Sequence, residues 1–126
     1  MDQTEARSLT RNVLDDWQAG GADLSQPRRI INSFRAYSLE ALGLFLDRLD
    51  AGGYRVVNRG EPIEGEAEYC VRVETEAVVE PTAAALDALT DDAARLAEES
   101  GVEYDLWYSR ALEPLAGSES VPTRPA

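Results

Sequence analysis

Histidine and lysine are both absent from the 126 residues, and cysteine occurs once, at position 70. Each absence closes a class of function. Without histidine the chain lacks the commonest general base near neutral pH and the commonest metal ligand, so neither catalysis nor a metal centre is expected. A single cysteine builds no disulfide framework, which makes a reducing, cytoplasmic setting the expectation. No apolar run approaches the roughly 18 residues that a membrane span requires. The opening Met-Asp-Gln-Thr-Glu is acidic and does not resemble a secretory signal.

Acidic side chains are abundant. Twenty-four of them face twelve basic residues, all arginine, for a net charge of −12. Such a field repels phosphate backbones, which argues against direct nucleic-acid binding and favours basic protein partners. Hydrophobic residues at 44% against 29% charged describe a chain able to form a core.

Residues 4–19 read as an amphipathic helix, with Ala6, Leu9, Val13, Leu14 and Trp17 at three- and four-residue spacing and Gly20-Gly21 as its end. Arg28 to Tyr37 reads as a strand, and Ser38 as the N-cap of a second helix whose apolar stripe is Leu39, Leu42, Phe45, Leu46 and Leu49. Tyr54 to Arg59 is a short strand, Gly60 to Glu66 a polar connection, and Ala67 to Thr75 a third strand. Pro81 and Thr82 open a third helix with Leu86, Leu89, Ala93, Leu96 and Ala97 on its inner stripe. A fourth strand runs from Glu103 to about Ala111. Residues 1–114 are expected to form one domain, its strand-helix part spanning 28–112, and 115–126 a disordered tail.

The order helix, then β-α-β-β-α-β, is that of an α+β ferredoxin-like domain with a four-stranded antiparallel sheet. The first and third strands belong in its centre, with the fourth beside the first. One sheet face would take the crossover helices. Strand alternation then gathers Arg35, Tyr37, Cys70, Arg72, Glu74, Glu103, Asp105 and Trp107 on the other. Two readings of Trp107 follow: the first helix covers it, or it stands partly exposed as the aromatic anchor of a protein contact.

Other motifs carry less. The glutamates near 61–66 lack the ligand spacing of a calcium loop. Cys70 has neither a CxxC partner nor an activating histidine. The sheet face lacks the basic, glycine-aromatic signature of RNA-stacking modules of this fold. Glu98 and Glu99 point apart on a helix, and arginines on adjacent strands account for Glu103 and Asp105 as ion pairs. Gly20-Gly21 and Gly52-Gly53 follow helices and so cradle no phosphate.

The segment Leu96-Ala97-Glu98-Glu99, then Val102-Glu103-Tyr104-Asp105 and Trp107, resembles the RraB family of regulators of ribonuclease E activity, in its helix end and its "EYDGW"-type strand. Leu39 to Leu42 running into Gly53-Tyr54-Arg55-Val56 is similar too, as are Asp23 and Leu24 ahead of the first strand. The resemblance covers residues 4 to about 112. It implies a ferredoxin-like, non-catalytic protein without cofactor. It also implies binding to a ribonuclease E-type enzyme outside its catalytic domain, where basic scaffold segments lie. The chain departs from the family at Leu106, often glycine there, and in lacking an acidic C-terminal tail. The contact residues expected from alternation and motif together are Trp107, Asp105, Glu103, Arg35 and Arg72. The alternative is a module of the same fold that binds another basic protein.

Overall fold

A computed structural model describes residues 1–21, 24–60 and 69–110. Its elements are α1 (Gln3–Ala19), β1 (Arg28–Ala36), α2 (Leu39–Ala51), β2 (Arg55–Arg59), β3 (Val71–Val79), α3 (Ala83–Ser100) and β4 (Glu103–Arg110). The sheet is antiparallel throughout, in the order β2-β3-β1-β4, as the split βαβ pattern requires. Beyond Gly60, the polar connection lies outside the described residues. So do the first two residues expected of the third strand, Asp23 of the family match, and the tail.

Local chemistry starts and stops the helices. Asp2 and Glu5 form a reciprocal capping box on α1, and Ser38 accepts from the Ala41 N–H at the start of α2. Thr82, rather than Pro81, caps α3 by accepting from the Ala85 N–H. Proline precedes the cap and is buried, its missing N–H falling where the strand has already ended. At the far end Gly101 takes φ +75°, a left-handed conformation that glycine reaches without steric cost.

The strand β3 begins and ends four residues later than expected. All nine residues of β1 pair with all nine of Val71–Val79, so a long-range ladder sets the limits that local composition blurred. The side assignment survives the shift because both readings share the same parity. Val71, Val73 and Thr75 are buried toward the helices, whereas Arg72, Glu74 and Glu76 take the opposite face.

Two apolar clusters hold the helices to the sheet. The larger is built around Phe34, which meets Phe45 edge-on at 4.7 Å and stacks on Tyr104 at 5.0 Å. Each such ring, fully buried, contributes about 1.5–3 kcal/mol. The smaller comprises Ile30, Leu86 and Trp107, with Leu9, Val13, Leu14 and Trp17 of α1 packed on it. Thus α1 joins α2 and α3 on one side and leaves the other sheet face without a helix. Arg7–Asp91 (2.7 Å) and Arg11–Asp87 (3.0 Å) tie α1 to α3 along their exposed seam.

A candidate interaction face on the open side of the sheet

The open face is built by alternation from three strands and interrupted on the fourth. On β1, Arg29, Ile31, Ser33 and Arg35 point to it; Arg72, Glu74, Glu76 and Val78 do so on β3. The pairing of β1 with β4 slips between Ser33 and Phe34: Ser33 faces Leu106, yet Phe34 faces Tyr104. Asp105 is therefore the extra residue of a β-bulge. One inserted residue inverts every later side chain, so Tyr104 and Trp107 share a face although they are three apart.

That slip corrects the expected place of Trp107. It lies opposite Asn32 on the helix side, is only 3% exposed, and sits under α1 in the smaller cluster. Leu106, expected in the core, stands on the open face and is 41% exposed. The covering of Trp107 by the first helix is the reading that holds, on the face opposite to the one expected. Its indole N–H has no acceptor among the described residues, and the side chain serves packing.

The other four residues come together as expected. The Arg35 Nε lies 3.4 Å from Asp105, and the Tyr37 hydroxyl donates to Glu103 at 2.6 Å. Asp105, followed by a hydrogen bond with Tyr37, pushes the Arg35 guanidinium above its ordinary pKa. Glu103, as acceptor of the phenolic hydrogen, raises Tyr37 in turn. Arg72 is exposed directly opposite Arg35, and its side chain has no hydrogen-bond or ion-pair partner among the described residues.

In the second half of the face, sequence reading placed Glu74 but missed Glu76 and its partners. Glu76 takes Arg29 at 3.2 Å and Arg55 at 3.3 Å, and Glu74 accepts from Asn58 and Tyr108, both at 3.0 Å. Extending the third strand's alternation two residues beyond Glu74 would have found Glu76. Among the described side chains, four arginines and four carboxylates thus share this face and balance in charge.

The acidity lies elsewhere. Helices α1–α3 carry eleven acidic and four basic residues, a net −7, whereas the four strands carry seven arginines and four acids. Among the described elements, the negative field expected to attract a basic partner belongs to the helix layer.

A groove of about 670 Å³ runs between the start of α1, the end of α3 and the start of β4, lined by Asp2, Glu5, Arg95, Glu98, Glu103 and their neighbours. Among the described residues no group of three or more Cys, Asp or Glu could hold a metal ion, and no helix is long and apolar enough to cross a membrane.

A family model described as regulator of ribonuclease activity B matches residues 7–108. No curated protein matches the chain. The matched span runs from within α1 to within β4 and takes in every strand that builds the open face.

Proposed function

The chain belongs to the regulator of ribonuclease activity B family; from that premise we propose that it binds a ribonuclease E-type endoribonuclease and restrains it without catalysing a reaction. Membership places the chain among regulators of ribonuclease activity. The match across nearly the whole described fold is the observation that carries the finer reading. Two features of the surface support it.

The helix layer, with its excess of seven negative charges, attracts the basic scaffold region of such an enzyme and steers the encounter. The other sheet face, which carries no helix among the described residues and is lined by Arg35, Arg72, Glu103 and Asp105, supplies directional contacts. Trp107 supports that face from behind and does not anchor a partner. In this role the protein needs no cofactor and no direct contact with RNA. It acts where soluble ribonuclease acts, in the cytoplasm.

An unbiased pull-down from the source cell, using the wild-type chain and Asp105→Arg, tests this reading. The wild type should capture the ribonuclease. The variant leaves Arg35 facing a second cation and should capture several-fold less while keeping its circular dichroism. A capture list without ribonuclease but with another basic protein would replace this reading by the alternative of a general acidic interaction module.

A further inference from the structure

We propose that Arg72, with Arg35 beside it, receives a carboxylate side chain of the protein partner; the inference rests on the proposed function for the partner's identity but not for its chemistry. Register pairs Arg35 directly with Arg72 on neighbouring antiparallel strands. Side chains so placed stand roughly 4.5–5.5 Å apart at Cβ, where like charges destabilise a sheet. The chain has twice as many acids as arginines, yet none of them neutralises Arg72 among the described residues.

The four carboxylates of this face are each held by another donor. Asp105 is taken by Arg35, Glu103 by Tyr37, Glu74 by Asn58 and Tyr108, and Glu76 by Arg29 and Arg55. Arg35 engages Asp105 through Nε and also bonds Tyr37, whereas the side chain of Arg72 has no partner among the described residues. The guanidinium fork of Arg72 matches the planar, bidentate geometry of one carboxylate, and the positive charge of Arg35 on the neighbouring strand favours the same group. Exposed Tyr37 and Leu106 flank the position and give the acidic side chain an apolar border. An acidic partner group at this point completes the neutralisation that the described residues leave unfinished.

The test has two readouts. Arg72→Glu exchanges a repelling neighbour of Arg35 for an attracting one, so the melting temperature should rise by about 1–6 °C. The same variant should capture nuclease-treated ribonuclease about tenfold less, with Arg72→Lys intermediate because it loses the fork. A melting temperature that falls would remove the premise, and undiminished capture would overturn the docking role. Capture that depends on intact RNA would show that the group received is a phosphate, which also overturns it.

If the wild type captures no ribonuclease, the functional reading fails, and a short glutamate-rich peptide then decides the inference alone. Titrated into nitrogen-15-labelled protein, it should shift the Arg72 and Arg35 Nε–Hε signals before that of Arg59, which register directs to the helix side. Equal or absent shifts would overturn the proposal.

Discussion

Trp107 shows how one side chain's role turns on one neighbour. Its sequence setting, between Asp105 and Ser109, suggests an exposed aromatic, and alternation from Glu103 leads to the same result. The bulge reverses it and puts the ring against Ile30 and Leu86. Trp107→Ala should therefore cost about 3–5 kcal/mol in chemical denaturation, by leaving a cavity under α1. Trp107→Phe should cost much less, because the lost N–H has no partner to abandon. Tyr104 is the other buried aromatic of β4, and its hydroxyl donates to Asn32, itself 1% exposed in the central strand. Burial raises the Tyr104 phenol far above its ordinary value. The raised folded-state pKa means that the stability is intact below the unfolded value near 10 and is lost as pH climbs beyond it. Denaturant midpoints measured from pH 9 to 12 should fall above about pH 10, by up to 1.4 kcal/mol per pH unit for this group. Tyr104→Phe should flatten that slope.

At the scale of elements, helices were legible and one strand was not wholly so. Helix caps are local chemistry: Ser38 and Thr82 bond N–H groups three residues on, which a reader of the chain can anticipate. Strand ends and bulges depend on what lies across the ladder. The limits of β3 come from the length of β1, and the Asp105 bulge from how β4 must meet it. Hence Arg35, Arg72, Glu103 and Asp105 were placed correctly before the slip and Leu106 and Trp107 incorrectly after it. The bulge makes a specific prediction. Deleting Asp105 should leave Tyr104 opposite Phe34 and Trp107 opposite Asn32, now in plain alternation. Tryptophan fluorescence of the deletion variant should keep the blue-shifted maximum of a buried indole, and Arg35 should lose its ion pair. A red shift would contradict the pairing. The seam of α1 makes another. Arg7 and Arg11 are about half exposed in their ion pairs, so replacing both by alanine should leave the denaturant midpoint nearly unchanged.

For the whole molecule, charge is distributed by layer, and net charge alone does not reveal that. A sum of −12 favours basic partners without saying where they meet the chain, whereas the helices carry an excess of acids and the strands an excess of arginine. The domain has an acidic side suited to long-range attraction and a neutral, ordered side suited to register. Attraction from the first should weaken as salt rises past the Debye length of about 8 Å at physiological strength. Contacts of the second should survive longer if they are desolvated in the complex. Ribonuclease capture across a salt series should therefore decline in the wild type, and Asp105→Arg should remain the weaker at every salt concentration.

The most direct measurement follows RNA cleavage by the full-length ribonuclease E-type enzyme and by its isolated catalytic domain, each with and without saturating protein. The account predicts slower cleavage by the full-length enzyme and an unchanged rate for the catalytic domain, with Asp105→Arg restoring the first toward its free rate. An unchanged full-length rate, or equal slowing of both enzymes, would contradict it.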